Sequence, residues 1–150
     1  MNDISTLKIS SGSKTNKTAS DYKEYLTAYR DYTKSKRRFS PGSTAKVDSQ
    51  FSERLAADVF NFDIDHTKGL DGINLNTKET YEVKASGFAN NKVKFNKSNK
   101  ADHVIWIKVR KDKIEIREID IDIYNHLDAK GFVNINKNKK EISNPIIYTY

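Results

Sequence analysis

The stretch Asp71-Gly-Ile-Asn-Leu-Asn-Thr-Lys-Glu-Thr-Tyr-Glu-Val-Lys84 determines how we interpret the rest of the chain. Apolar residues alternate with polar ones in both halves of the stretch, and a polar run over 76–79 separates the halves. This pattern predicts a β-hairpin. Because successive side chains on a strand point to opposite faces, Glu82 and Lys84 share one face. The hairpin then brings Asp71 back beside them.

Two carboxylates and an ammonium at one place suit chemistry on a phosphate group. Carboxylate oxygens are preferred ligands of Mg²⁺, and a lysine can stabilise charge on an attacked phosphate and hold a water. The alternative is an exposed hairpin face that carries ordinary charges. Acid-x-Lys triplets also occur at 21–23 and 128–130. Neither has an acidic residue on an opposing strand, and both fall in stretches that we predict to be helical.

The spacing of Asp71 and the triplet Glu82-Val83-Lys84 resembles that of the PD-(D/E)XK nucleases, and within them of type II restriction endonucleases. The segment Ile142-Ser-Asn-Pro-Ile-Ile resembles one near the C-terminus of small PvuII-type restriction enzymes. The resemblance implies that Asp71, Glu82 and the Val83 carbonyl bind Mg²⁺, and that Lys84 is catalytic. It also implies site-specific hydrolysis of double-stranded DNA that leaves 5′-phosphate and 3′-hydroxyl ends. Double-strand cutting needs two such sites, which a C2 homodimer on a palindrome supplies. Leu70 stands where the family pattern has proline.

A helix predicted from about 43 to 60 precedes the hairpin. Its apolar stripe recurs every four residues, at Val47, Phe51, Leu55 and Val59. Glu53 lies at the edge of this stripe. Restriction nucleases commonly carry an acidic residue on the helix before the first catalytic strand, so the resemblance implies an active-site role for Glu53. The alternative is an ordinary surface carboxylate.

The composition indicates a single domain over residues 1–150 with a polyanionic partner. The net charge is +7 and the pI is about 9.4, which favours nucleic acid. There are no cysteines, no apolar run of membrane-spanning length and no apolar core of a signal peptide. We therefore expect a cytoplasmic protein without a membrane partner. Residues 1–18 are polar and predict a flexible N-terminal arm.

Two regions are candidates for DNA contacts. After a first helix, predicted from Ser20 to about Tyr32, comes a basic cluster of Lys34, Lys36, Arg37 and Arg38. This cluster is either a solvated turn or a phosphate-binding site. The stretch 86–100 is rich in asparagine and lysine, which suit base edges and phosphates. Its candidate DNA-binding residues are Ser86, Asn91, Lys92, Lys94, Asn96, Lys97 and Asn99.

The remaining patterns predict an α+β fold with a restriction-endonuclease-like core, a mixed and mostly antiparallel sheet of about five strands, and flanking helices. Strands over 102–109 and 113–119 form its buried centre, and a short helix over 123–130 ends at Gly131. An aromatic stripe in the first helix either packs on the core or forms a dimer surface; it comprises Tyr22, Tyr25, Leu26 and Tyr29.

Asp63, Asp65 and His66 form a possible metal cluster just before the hairpin. The alternation of Phe60, Phe62 and Ile64 favours instead a short strand or an extended connection whose polar residues face outwards.

Three other functions remain open at this point. The same fold acts on structured DNA in junction resolvases and in mobile-element or repair nucleases. A basic DNA-binding module without catalysis would share the charge and the asparagine-rich stretch. A subunit that acts only with a partner chain would be inactive alone.

Overall fold

The computed structural model describes residues 2–9 and 14–150. Within them the helices are α1 (Ala19–Arg37) and α2 (Ser49–Phe60), and short 3₁₀ helices cover Ile4–Thr6 and Ile121–Asn125. The strands are β1 (Asn2–Asp3), β2 (Asp63–Ile64), β3 (Gly72–Ile73), β4 (Thr80–Ser86), β5 (Lys92–Lys94), β6 (His103–Val109), β7 (Lys113–Ile119), β8 (Phe132–Asn134) and β9 (Ile146–Thr149). The predicted α+β class is confirmed.

Seven of the described strands form one sheet, in the order β1-β9-β7-β6-β4-β3-β2. Two neighbouring pairs, β1 with β9 and β4 with β6, are parallel, and the other pairs are antiparallel. Strands β5 and β8 form a separate antiparallel sheet. The mixed, mostly antiparallel arrangement is confirmed, but the predicted number of about five strands is too low. Strands β1, β2 and β3 have two residues each, too few for sequence alternation to reveal.

The sheet is covered on both faces, which explains the nearly continuous apolar sequence of its central strand β6. On one face the two helices pack against a core that includes Tyr81, Val83, Ile105, Ile107, Ile114 and Ile116. On the other face the β5–β8 sheet and the Ile121–Asn125 helix cover Val104 and Trp106. Glu82 and Lys84 belong to this second face, because they lie opposite Val104 and Trp106 in the register of β4 and β6.

Helix α1 is longer than predicted. Its N-cap is Thr18, whose hydroxyl accepts the Asp21 N–H while the Asp21 carboxylate accepts the Thr18 N–H. This reciprocal capping box fixes the start of the helix. The helix continues past Tyr32 to Arg37, so Lys34 to Arg37 form its last turn and are not a separate turn. Basic side chains are favourable there because the helix dipole places partial negative charge at this end.

Helix α2 is shorter than predicted at its start. It begins at Ser49 because the Asp48 carboxylate accepts the Gln50 N–H as an N-cap. The segment 43–48 is irregular, and its Val47 is buried in the helix-side core. The helix ends at Phe60, where the apolar stripe had placed it.

The predicted loose arm over residues 1–18 is wrong for much of its described part. Strand β1 pairs in parallel with β9, and Ile4 is completely buried. Further along, the Lys14 N–H and the Thr15 hydroxyl both donate to the carboxylate of Asp58, at 3.0 and 2.7 Å. Residue 1 and residues 10–13 lie outside the described residues, and the prediction for them stays a prediction.

The predicted helix over 123–130 is also wrong. The 3₁₀ helix Ile121–Asn125 is followed by a turn in which the Asp128 carboxylate accepts the N–H groups of Lys130 and Phe132. Gly131 lies in this turn with φ of 86°, a conformation that favours glycine. Gly131 therefore shapes a turn and does not cap a helix.

The aromatic stripe of α1 packs on the chain's own core. Tyr22, Leu26 and Tyr29 are buried, and the ring of Tyr25 stacks on that of Phe51 with centroids 4.0 Å apart. The core alternative is confirmed, and the alternative of a dimer surface built from this stripe is wrong.

Removing the Tyr22 hydroxyl is expected to lower the free energy of unfolding by about 1–3 kcal/mol, the usual cost of leaving a buried acceptor short of a donor. This hydroxyl donates to Asp58 at 2.5 Å, and the Asp58 side chain has no exposed surface. Urea unfolding of Tyr22→Phe measures the loss. Tyr32→Phe is the matched control, because Tyr32 is 62% exposed. Equal stability of Tyr22→Phe and the wild type would contradict the prediction.

Candidate functional site

The predicted hairpin is present, with β3 and β4 paired antiparallel. Gly72 lies opposite Tyr81 and is the last paired residue of β3 on this side, so Asp71 directly precedes the paired strand and lies beside β4. The Asp71 carboxylate is close enough to Glu82 for its charge to raise the pKa of the Glu82 carboxyl. The hairpin therefore brings together two carboxylates that are eleven positions apart in the sequence.

Asp71 is held in place by the backbone of β4. Its N–H donates to the Tyr81 carbonyl at 2.9 Å, and its Oδ2 accepts the Val83 N–H at 2.7 Å. The neighbouring Gly72 allows the ring of Phe62 to pack directly on the backbone, where an added Cβ would lie 2.3 Å from a ring carbon. Val83 thus orients a carboxylate through its N–H, and metal binding by its carbonyl stays a prediction.

Glu82 and Lys84 lie on the same face of β4, as the alternation predicts. The Lys84 Nζ is 2.5 Å from the Glu82 Oε1, and the two side chains are 29% and 14% exposed. The ammonium also lies 5.7 Å from the centroid of the Phe95 ring. The lysine therefore stands at the opening of a half-buried site beside a carboxylate that it partly neutralises.

Burial raises the pKa of both carboxyl groups above their ordinary values. For Asp71, the hydrogen bond from the Val83 N–H opposes the rise in pKa, and the charge of Glu53 adds to it. For Glu82, the hydrogen bond from Lys84 opposes the rise in pKa, and the charge of Asp71 adds to it. Each ionised carboxylate is thus destabilised mainly by burial and to a smaller extent by an acidic neighbour, and a bound cation would offset both effects.

Glu53 reaches this site from helix α2, and His66 reaches it from the connection between β2 and β3. The His66 Nε2 lies 2.9 Å from the Glu53 Oε2 and 3.9 Å from the Asp71 Oδ1. One ligand atom from each of the three side chains lies within 4.8 Å of the others. The structure thus places Glu53 beside Asp71, as the resemblance implied, and adds a histidine.

No sequence pattern distinguishes His66 from its acidic neighbours Asp63 and Asp65. In the structure Asp65 accepts the N–H and hydroxyl of Thr67 and so caps its own turn. Asp63 lies in strand β2. Only His66 of these three joins the group with Glu53 and Asp71, and it does so through the tertiary fold.

An open cleft of about 590 Å³ begins at Lys84. It is lined by Lys84, Lys94, Phe95, Asn96, Lys97 and Ser98. Three predicted DNA-binding residues, Lys94, Asn96 and Lys97, therefore border the candidate catalytic lysine. Two ammonium groups and one amide thus line the approach to Lys84.

Ser86 requires a correction among the predicted DNA-binding residues. It is the last residue of β4, is 3% exposed, and its hydroxyl accepts the indole N–H of Trp106 at 2.9 Å. A side chain that is enclosed in this way supports the core beneath the site and has no surface to offer to DNA.

The basic side chains at the end of α1 differ in their exposure and contacts. Arg37 donates from its Nε to the Ser43 carbonyl at 2.8 Å and lies over the ring of Phe88, so it mainly ties the helix to the following segment. Lys34 and Arg38 are exposed. Phosphate binding by these two residues stays a prediction, whereas Arg37 has a structural role.

The other candidates in the stretch 86–100 lie around the β5 strand. Lys92 is exposed on that strand, and Asn91, just before it, is half-buried with its carbonyl accepting the Ile135 N–H. The Asn99 amide donates to the Lys68 carbonyl at 3.0 Å and so links the segment between β5 and β6 to the connection that carries His66. Base contacts by Asn91 and Asn99 stay predictions.

The residues present fit a hard divalent cation. Glu53 and Asp71 belong to one group of possible metal ligands, Glu82 is near enough to feel the charge of Asp71, and burial raises the pKa values of Asp71 and Glu82. Oxygen donors of this kind are the ligands that Mg²⁺ prefers. Asp71 and Glu82 would hold the ion, with Glu53 close enough to Asp71 to assist.

No family model, curated protein or solved structure matches the chain. The restriction-endonuclease-like core therefore stays a prediction that rests on the residues of the site. Among the described residues, neither helix has the length and apolarity that crossing a bilayer requires.

Proposed function

We propose that the chain is an Mg²⁺-dependent endonuclease that hydrolyses phosphodiester bonds of double-stranded DNA, in the manner of a type II restriction enzyme. The observation that supports this most strongly is the proximity of Asp71, Glu82 and Lys84 on one hairpin: Asp71 accepts the Val83 N–H, its charge acts on Glu82, and Lys84 pairs with Glu82. This is the juxtaposition that the spacing of the three residues predicted.

Each side chain has a distinct task in the proposed reaction. Asp71, oriented by the Val83 N–H, and Glu82 would hold the cation. When bound, Mg²⁺ lowers the pKa of a water and offsets charge on the phosphate oxygens. The Lys84 ammonium positions the attacking water and stabilises the charge that develops on the phosphate. Water forms a bond to phosphorus, the bond to the 3′ oxygen breaks, and that oxygen leaves as a hydroxyl after taking up a proton.

The proposed substrate follows from charge and position. The net charge of +7 favours a polyanion, and the cleft bordered by Lys94, Asn96 and Lys97 opens directly at Lys84. Lysines there would contact phosphates, and the asparagine would contact base edges. A homodimer would place two such clefts on one palindromic site and cut both strands.

The experiment that tests the substrate class compares two DNAs in Mg²⁺. Supercoiled plasmid and a synthetic four-way junction are incubated with purified protein, and the ends of the products are sequenced. We expect plasmid fragments with fixed ends that carry 5′-phosphates. Cutting confined to the junction would indicate that the enzyme acts on structured DNA, as a junction resolvase or repair nuclease does. Binding without cleavage of either substrate would favour a DNA-binding module or a subunit that needs a partner chain.

Lys97→Ala is expected to weaken DNA binding and to reduce the slope of log K against log salt concentration by about one, because one phosphate contact is lost. Fluorescence anisotropy with duplex DNA in EDTA, which prevents cleavage, measures both quantities. Lys139→Ala is the matched control, since Lys139 is an exposed lysine between β8 and β9. An unchanged slope for Lys97→Ala would remove this residue from the DNA interface.

A further inference from the structure

The group of Glu53, His66 and Asp71 differs chemically from the pair of Asp71 and Glu82. It offers one imidazole nitrogen and two carboxylates, supplied by α2, the β2–β3 connection and the start of the hairpin. Glu82 is not a member of this group. Asp71 is therefore shared by two sets of donors, one of oxygens alone and one that includes nitrogen.

The separations of the donor atoms suit a single ion. Zn²⁺ bonds to nitrogen and oxygen ligands are about 2.0–2.2 Å long, so two donors of one ion lie at most about 4.4 Å apart. The His66 Nε2 is 2.9 Å from the Glu53 Oε2 and 3.9 Å from the Asp71 Oδ1. Both separations are within that limit. All three donor atoms lie within 4.8 Å of one another, so binding one ion would require them to approach by only a few tenths of an ångström.

The charge balance of the group also favours a cation. The Glu53 and Asp71 side chains are only 12% and 17% exposed. In the described part of the chain, the ion-pair partner of each carboxylate within 4.0 Å is His66, with no lysine or arginine. Two half-buried carboxylates thus face each other across an imidazole that is itself 60% exposed and accessible to an ion from solvent.

We propose that Glu53, His66 and Asp71 form a second metal position that takes a borderline transition-metal ion such as Zn²⁺ or Co²⁺ in preference to Mg²⁺. Zn²⁺ and Co²⁺ bind imidazole nitrogen well, whereas Mg²⁺ strongly prefers oxygen ligands. An ion here withdraws electron density from Asp71 and competes with the Asp71–Glu82 position for that carboxylate. The inference rests on the proposed function in that this position shares Asp71 with the proposed nuclease site. Metal binding at this position is measurable without DNA.

The test is a Zn²⁺ titration of the full-length protein followed by NMR of the histidine ring nitrogens. The chain has three histidines, His66, His103 and His126, so single alanine variants assign every ring signal. We expect the His66 signals to shift and saturate at one equivalent of Zn²⁺ for this position. Glu53→Gln and Asp71→Asn should each weaken that binding at least about tenfold, since they remove a ligand.

Two controls separate this position from its neighbours. His126→Ala disrupts the other described donor group, Asp122, His126 and Glu141, and should leave the Zn²⁺ affinity at His66 unchanged. Glu82→Gln should abolish Mg²⁺-dependent DNA cleavage but keep the His66 response, so failure of the nuclease proposal and failure of the second position are distinguishable. An unmoved His66 ring at saturating Zn²⁺, or a response that Glu53→Gln does not weaken, would overturn the inference.

Discussion

Lys84→Ala is expected to reduce DNA cleavage by at least about a hundredfold while the fold and DNA binding are retained. Removing one donor that stabilises charge in the transition state typically costs about 10²–10³ in rate. Lys84 lies 2.5 Å from Glu82 and opens onto the cleft, so its ammonium is placed to contact both a phosphate and the attacking water. Single-turnover cleavage of plasmid at saturating protein measures the loss without interference from binding.

Lys84→Ala removes a partly buried side chain that pairs with Glu82 and lies 5.7 Å from the centroid of the Phe95 ring, and it changes no residue of the two hydrophobic cores. The thermal unfolding midpoint should therefore stay close to that of the wild type. Lys139→Ala removes the same charge outside the site and should leave the cleavage rate unchanged. Undiminished cleavage by Lys84→Ala would exclude the proposed role of this lysine.

Asp71→Asn is expected to abolish Mg²⁺-dependent cleavage and, without divalent ions, to raise the thermal unfolding midpoint at neutral pH. Burial raises the pKa of Asp71 in the folded state, and the charge of Glu53 adds to that effect. A carboxyl whose folded-state pKa is raised favours folding only while it is protonated. That contribution is complete below the unfolded pKa of about 3.9 and is lost as pH rises through the folded value.

At neutral pH the ionised Asp71 therefore opposes folding, and the neutral asparagine removes this cost while its amide oxygen can still accept the Val83 N–H. Thermal unfolding in EDTA from pH 3.5 to 7.5 measures the difference in unfolding midpoint between Asp71→Asn and the wild type. This difference should be greatest at pH 7.5 and decrease towards pH 3.5. Added Mg²⁺ should stabilise the wild type and not the variant, because only the wild type binds it. A variant that is less stable than the wild type at pH 7.5 in EDTA would contradict the prediction.

The sequence contained enough information to predict the strands that build the site. In β4, β6 and β7 the apolar residues alternate or run continuously over seven positions, and the structure places these strands within about a residue of the predicted bounds. The proximity of Asp71 and Glu82 followed from a hairpin, which is a local structure. Glu53 was predicted from the helical stripe beside it together with the family resemblance.

Features that depend on distant parts of the chain were missed. The pairing of β1 with β9 joins the two ends of the chain, and two-residue strands leave no pattern to detect. His66 meets Glu53 only because α2 packs beside the hairpin, a contact that no local spacing encodes. Ser86 shares a face with Lys84 by alternation, yet the packing of Trp106 against its hydroxyl encloses it.

The helical errors have a different cause. Lys34 to Arg37 continue the helix without apolar periodicity, so the predicted α1 ended at about Tyr32, shortly after the aromatic stripe. In the 123–130 stretch, Asp128 makes side-chain bonds to nearby backbone N–H groups, which compete with continued helix.

The most direct test of a shared Mg²⁺-dependent site at Asp71, Glu82 and Lys84 is strand scission of supercoiled plasmid by the purified protein. The wild type is compared with Asp71→Asn, Glu82→Gln and Lys84→Ala, each in Mg²⁺ and in EDTA. We expect cleavage by the wild type in Mg²⁺ alone, with 5′-phosphates at the new ends. Cleavage that persists in EDTA, or that survives loss of either carboxylate, would contradict the shared site.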